Sequence, residues 1–267
     1  KFREWLKKHY VSLDKLNQEW DTQFTSWSAI LPMTLEDAKK RGTKNFAPWA
    51  DFREFNDDAF ANYVKFCGDS IRKTDPVAKI GMSGTESPFV SSGFDWWKMS
   101  GALDTVWSYG GIQLELLRSF APYHGLVVNN YSIGYGWHGA ELFQRTFRSM
   151  LNQSHGLSSW AAPLFYTPEG TLTLSGSDAK RVTELFNSGI WDYIRSFKRE
   201  KTVAVLYSMA SLRTAFSEGK WEQYRDSVQG WTDLLYDCCI PWSFISEEQL
   251  EKGILEQEKY QAAVLPY

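Results

Sequence analysis

Leu103-Asp104-Thr105-Val106-Trp107-Ser108-Tyr109 is an apolar-rich run closed by Gly110-Gly111, and Ile112 to Phe120 follows with its apolar side chains at helical spacing. Leu126-Val127-Val128-Asn129-Asn130 follows as another apolar run. A short β-like run, a helix of a few turns and a second β-like run are one parallel strand pair with its helical crossover. The pattern extends both ways. Upstream, Val77–Ser83 reads as a strand and Asp95–Gly101 as a short helix. Downstream, Glu141–His155 reads as a helix stopped by Gly156, Leu157–Ala161 as a strand, and Asp178–Phe197 as a long helix with Val182, Leu185, Phe186, Ile190 and Ile194 on one face.

Four strands alternating with helices fit an open parallel sheet or half of an eight-stranded barrel, and periodicity does not separate the two. The chain opens at Lys1 inside a helical pattern (Phe2, Trp5, Leu6, His9) and stops at Tyr267 just after an apolar strand. We therefore expect a piece of a longer protein, which favours the half-barrel; no signal peptide is legible, and the compartment is not readable from this N-terminus. Ser12 is placed to cap a second helix over Leu13, Leu16 and Trp20. Residues 21–55 show no period and read as an irregular excursion. Asn56 is expected to cap a helix whose first turn holds Asp57 and Asp58 and whose buried stripe is Phe60, Tyr63, Val64, Cys67 and Ile71, ended by Pro76. After Lys201 the rhythm restarts: strand Thr202–Tyr207, helix Trp221–Tyr236, strand Ile240–Ile245, a short helix near Glu247–Lys252 and strand Gln261–Leu265. The expected division is 1–200 for the barrel half and 201–267 for the start of a second α/β domain.

Composition narrows the function. A formal net charge of -3 offers no basic stripe for nucleic acid, and no uncharged run is long enough to cross a membrane. The 3 cysteines (Cys67, Cys238, Cys239) make neither a disulfide framework nor a metal motif, and adjacent Cys238 and Cys239 read as half-buried thiols. His9, His124, His138 and His155 lack ligand spacing, so no metal is expected. Gly134-Tyr135-Gly136-Trp137-His138-Gly139 matches G-x-G-x-x-G, but Tyr135, Trp137 and His138 would crowd a pyrophosphate and the next strand lacks a ribose-binding acid. It reads better as a glycine-aromatic loop over a pocket, and no cofactor is expected. The chain holds 13 Trp and 13 Tyr, enough to stack on sugar rings as well as to fill a core.

In parallel α/β folds, ligands meet the C-terminal ends of strands. Those positions are Gly84, Thr85 and Glu86; Trp107, Ser108 and Tyr109; Asn129, Asn130 and Tyr131; and Trp160, with Tyr166 and Glu169 on the loop beyond. Aromatic faces, amides and carboxylates suit a carbohydrate, through stacking and hydrogen bonds to vicinal hydroxyls. The expected substrate-binding set is Trp107, Tyr109, Asn130, Tyr131, Trp160, Tyr166 and Glu169.

The segments Phe2-Arg3-Glu4-Trp5-Leu6-Lys7-Lys8-His9-Tyr10, Leu13-Asp14-Lys15-Leu16-Asn17, Trp20, Asp51-Phe52, Phe55, Asp57 and Phe94-Asp95-Trp96-Trp97-Lys98 resemble, in order, glycoside hydrolase family 42, the bacterial β-galactosidases. Val203-Ala204-Val205-Leu206-Tyr207-Ser208, Glu247-Glu248-Gln249-Leu250, Gly253 and Ala263-Val264-Leu265-Pro266 resemble its trimerisation domain. The resemblance implies the second half of a (β/α)8 TIM barrel followed by the start of a flavodoxin-like (glutamine-amidotransferase-like) domain, and a homotrimer of the full-length protein. It also implies retaining hydrolysis by two glutamates, the acid/base residue lying upstream of Lys1. The position matching the nucleophile is Asn129, and an amide does not ionise. Three readings stay open. Glu86 takes over as the catalytic carboxylate; Asn129 orients a substrate group or water in an altered mechanism; or the protein is a non-catalytic carbohydrate-binding or assembly module.

Overall fold

The computed structural model describes residues 1–85, 88–90, 92–133, 136–152, 154–159, 162–197 and 200–267. Strands β1 (Gly81–Thr85), β2 (Thr105–Ser108), β3 (Val127–Ile133) and β4 (Gly156–Ser159) form a parallel sheet in the order β1-β2-β3-β4. A doubly wound sheet reverses its strand order at a switch point; this one advances by one strand at each crossover, as a barrel does. The strand order thus separates the two architectures that periodicity leaves open.

The N-terminal third differs from the sequence expectation in one important place. Helices α1 (Phe2–Tyr10), α2 (Leu13–Trp20) and α3 (Leu35–Lys40) precede α4, which runs from Ala47 to Arg72. Ser12 does cap α2, its hydroxyl accepting from Lys15 N at 3.2 Å. Asn56, however, caps nothing: it sits inside α4, its amide donating to Phe52 O at 2.8 Å. Pro48 in the first turn, where a missing N–H costs no hydrogen bond, marks the true start. The buried face of α4 carries Asp51, Asp57, Ala61 and Gly68, while Tyr63 and Ile71 face outward. Carboxylates hold that face: Asp51 accepts from Tyr10 Oη at 2.5 Å and Trp20 Nε1 at 2.8 Å. An apolar stripe search misses a helix buried on its acids.

Helices α5 (Trp96–Ser100), α6 (Gly111–His124) and α7 (Gly139–Leu151) follow β1, β2 and β3. The expected helix over Asp178–Phe197 is instead α8 (Leu174–Leu185) and α9 (Trp191–Ser196), separated by a wide turn in which Gly189 takes φ 87°. The second sheet holds β5 (Val203–Tyr207), β6 (Trp242–Ser246) and β7 (Ala262–Val264), all parallel, in the order β6-β5-β7. Its central strand comes first in the chain, the opening order of a flavodoxin-like sheet. Helices α10 (Met209–Ser217) and α11 (Trp221–Asp237) connect β5 to β6, and α12 (Glu247–Glu251) and α13 (Ile254–Gln257) connect β6 to β7. The sequence reading passes over α10, whose N-cap is Ser208, accepting from Ser211 N at 2.9 Å. Cys238 and Cys239, expected half-buried, are exposed.

Helix α6 sits between the two sheets. Every residue from Gln113 to Phe120 is buried, which requires cover on all sides of the helix. On the β6 side, Phe244 N donates to Ser119 Oγ at 2.9 Å. One hydrophobic cluster joins Val106, Leu116, Phe120 and Val128 to Val205, Tyr207, Trp242 and Phe244.

Candidate functional site

Parallel pairing aligns the strand ends. Trp107 is in register with Asn129, and Ser108 with Asn130. Registered residues on neighbouring strands share a face, and successive residues alternate faces. One face of the first sheet therefore carries Ser83, Thr105, Trp107 and Asn129; the other carries Val106, Ser108, Val128 and Asn130, all buried.

Asn129 is held firmly on the first face. Its Nδ2 donates to Thr105 Oγ1 at 3.0 Å, and Thr105 Oγ1 donates to Val127 O at 3.1 Å. Gly156 makes room for the amide: a Cβ there would lie 2.7 Å from Asn129 Oδ1. Trp107 stands beside it, half-buried. This pair joins an amide to a large apolar ring, the two elements needed to hold a hydroxyl and a pyranose face.

Tyr109 and Asn130 do not share that face. They line a separate hollow of about 280 Å³ between α6 and α7, with Trp137, Glu115, Arg145 and Arg148. The expectation that Asn129 and Asn130 open onto one cleft is corrected by strand alternation. Asn130 Nδ2 instead donates to Ser149 Oγ on α7 at 3.2 Å. Tyr166 and Glu169 are exposed on a hairpin closed by the bridge between Tyr166 and Leu172. Tyr131 belongs to β3, but its side chain lies outside the described part of the molecule, and Glu86 and Trp160 lie outside the described residues. So do Gly134 and Tyr135 of the glycine-aromatic loop. At the end of that loop, Gly139 N at the start of α7 donates to Asp178 Oδ2 at 2.6 Å, so a protein carboxylate already holds the helix N-terminus that a pyrophosphate would need.

Two charged clusters escaped the sequence reading. Glu115 is buried and accepts from Arg118 Nε and Asn152 Nδ2, each at 2.8 Å, and from Tyr236 Oη; Arg118 also donates to Trp242 O at 3.5 Å. This network ties α6 to α7 and to the second sheet. Between α4, α5 and α10, Asp57 pairs with Arg213 at 2.6 Å and Lys98 with Asp58 at 2.5 Å. There, burial pushes the Asp95 carboxyl up to about 6, against the opposing pull of Lys98. The only sequence signal was a charge inside an apolar helix (Glu115, Arg118), which reads as a surface residue until the helix is known to be covered. Among the described residues no group of three or more His, Cys, Asp or Glu side chains could hold a metal ion, and no helix is long and apolar enough to cross a membrane.

The progressive parallel sheet, with its strand ends aligned on one edge, defines the class: four consecutive strands of a (β/α)8 barrel. An exo-carrageenase of glycoside hydrolase family 42 from Bacteroides ovatus shares the fold with a TM-score of 0.67 at 18% identity, covering 99% of this chain and 41% of that one. A β-galactosidase from the psychrophilic Marinomonas ef1 does so with a TM-score of 0.62 at 16% identity, over 92% and 45%. In sequence, the beta-galactosidase BgaP of Planococcus sp. (strain L4) is 28% identical over 132 residues, 44% of this chain and 20% of that protein. Residues 1–118 match the family model for glycoside hydrolase 42, described as beta-galactosidase. These matches make the N-terminal part of the chain, residues 1–118, similar to glycoside hydrolase family 42. The sequence match spans about one fifth of that curated relative's length.

Proposed function

We propose that this chain is part of a carbohydrate-active, β-galactosidase-like glycoside hydrolase that cleaves glycosidic bonds of oligosaccharides. The observation that carries the proposal is the pairing of Trp107 and Asn129 on one face at the aligned strand ends, in a chain whose residues 1–118 match the β-galactosidase family. In this reading residues 1–200 are the C-terminal half of the barrel and 201–267 open the second domain. The homotrimer implied by the resemblance belongs to the same proposal.

Retaining hydrolysis needs a proton donor and a carboxylate nucleophile, their carboxyls about 5–5.5 Å apart. The amide of Asn129 cannot be that nucleophile; fixed by Thr105, it is suited to hold a substrate hydroxyl. Glu86 directly follows β1 in the chain and is the carboxylate proposed to attack the anomeric carbon. The proton donor then belongs to the strand preceding Lys1. Trp107 supplies the ring for the sugar's apolar face.

The test is hydrolysis of an aryl β-galactoside by the full-length protein. Glu86→Gln is expected to lower kcat by roughly a thousandfold or more. Asn129→Ala is expected to raise KM and cost less in kcat. Undiminished turnover in Glu86→Gln would remove Glu86 from the mechanism, and an intact protein inert toward every aryl glycoside would remove the hydrolase reading itself.

A further inference from the structure

The hollow between α6 and α7 has a makeup that the barrel-face site does not explain. Most of its charge is internally matched. Glu115 is paired with Arg118, and Glu141 with Arg145 at 3.1 Å. Arg145 is also stacked on Trp137, its guanidinium carbon 3.8 Å from the ring centroid. Arg148 is different. Among the described residues it has no carboxylate within ion-pair distance; its one contact of this kind is with the Tyr236 ring at 4.9 Å. It borders the hollow as a cation that no carboxylate of the described residues pairs with.

The opposite wall is the start of α6. Gly110 and Gly111 both take positive φ, 101° and 62°, so no Cβ screens the backbone on this rim. No side chain caps the helix at Gly110, and the positive end of the helix dipole faces the hollow. A separate observation points to a ligand. Asn130 is only 6% exposed, yet its Oδ1 has no hydrogen-bond partner among the described residues and lies 3.9 Å from where a Cβ on Gly110 would sit. A buried amide oxygen without a partner is costly. The two ends of an amide are distinguished only by their partners. Turned over, with the Ser149–Ser154 hydrogen bond (2.9 Å) reversed so that Ser154 donates, Asn130 would accept from Ser149 and present its NH2 to the Gly110 rim, as a second donor for an anion.

We propose that this groove is a second binding site, taking a saccharide that carries an oxyanion, either a sulfate ester or a uronate carboxylate. Arg148 pairs with the oxyanion in the bidentate manner open to a guanidinium. Asn130 and the α6 N-terminus donate from the other side, and Trp137 and Tyr109 border the sugar ring. The anion requirement stands on the groove alone; the saccharide requirement rests on the carbohydrate reading above.

Isothermal titration calorimetry on the full chain tests it with four probes: sodium sulfate, a monosaccharide 6-sulfate, glucuronate and the corresponding neutral monosaccharide. At least one charged sugar is expected to bind ten times or more tighter than both sodium sulfate and the neutral sugar. Arg148→Ala should weaken that binding at least tenfold, Arg148→Lys should restore part of it, and Arg225→Ala, a surface control, should leave it unchanged. Asn130→Asp, which sets a carboxylate against the anion, should abolish it. If Asn130→Asp fails to fold, the exposed Arg148 variants decide alone. No binding of any anion, or binding indifferent to Arg148→Ala, overturns the site. Sodium sulfate binding as tightly as the sugars, with full dependence on Arg148, overturns the saccharide part. None of these outcomes depends on aryl glycoside turnover.

Discussion

Arg213 and Asp57 show how one residue pair can join distant parts of the chain. They meet at 2.6 Å, with side chains 7% and 1% exposed. Removing one partner leaves the other charged and buried, which typically costs 3–5 kcal/mol. Arg213→Ala is expected to destabilise the protein by about that amount in urea unfolding. Arg213→Met combined with Asp57→Leu, which removes both charges and keeps the volume, is expected to recover most of the loss. A single variant that unfolds at the wild-type midpoint would show that the pair contributes nothing. Nothing local in the sequence signals this pair, because its members stand 156 residues apart. Asn129 was legible as a strand-end position, the place where ligands meet parallel α/β folds, and its role there belongs to the proposal. The sequence pointed equally to Asn130, and only the alternation of the observed strand separates the two.

At the scale of the element, Asp95 is both a cap and a titrating group. Its carboxylate accepts from Trp97 N at 3.0 Å at the start of α5, and burial raises its pKa to about 6. An unfolded aspartate titrates near ~3.9. Between these values the native protein holds the proton more tightly than the unfolded chain, so this group's contribution is fully present below pH ~4 and falls as pH rises through about 6. The fall amounts to roughly 3 kcal/mol. Asp95→Asn keeps the capping oxygen, and Asn caps as well as Asp. The stability difference between wild type and Asp95→Asn, followed by denaturant unfolding from pH 4 to 8, should shift in the variant's favour over that interval. A difference flat in pH would refute the assignment. Close approach is equally local. A Cβ on Gly176 in α8 would lie 2.2 Å from Phe165 O, a backbone atom that cannot swing aside. Gly176→Ala is expected to cost 1–3 kcal/mol or more, seen as a lowered Tm; an unchanged Tm would mean that α8 and the hairpin separate freely. The sequence showed a helix here only from Asp178 on, by the spacing of Val182 and Leu185, and not its first turn. It gave no sign of this contact, since nothing in the run Leu174-Ser175-Gly176-Ser177 says what lies across from it. Helix α4 was located late along the chain for a related reason: Asp51 and Asp57 stand on its buried face beside Trp49 and Ala61 and interrupt the apolar stripe.

For the whole molecule, local pattern established that strands alternate with helices, while strand order and the covering of α6 became visible only in three dimensions. Alternation is a property of neighbouring residues; which sheet covers the far side of a helix depends on contacts across the chain. The expected boundary near residue 200 therefore carries a physical consequence. The first sheet and α6 are buried partly by the second sheet: Trp96 N donates to Tyr207 Oη at 3.1 Å, and Leu116, Leu117 and Phe120 share a cluster with Val205, Trp242 and Phe244. Cutting after residue 200 would bare these leucines and Phe120 to water, at about 25 cal/mol for each Å² of apolar surface exposed, and would strand the Arg118 and Ser119 hydrogen bonds to β6. The piece 1–200 is expected to lose the cooperative thermal transition of the 267-residue chain and to bind a hydrophobic dye, with most far-UV helix signal retained. A sharp transition in 1–200, at a Tm within a few degrees of the whole chain, would mean that the two sheets are energetically separate units in contact, and that the shared cluster around α6 adds little to either.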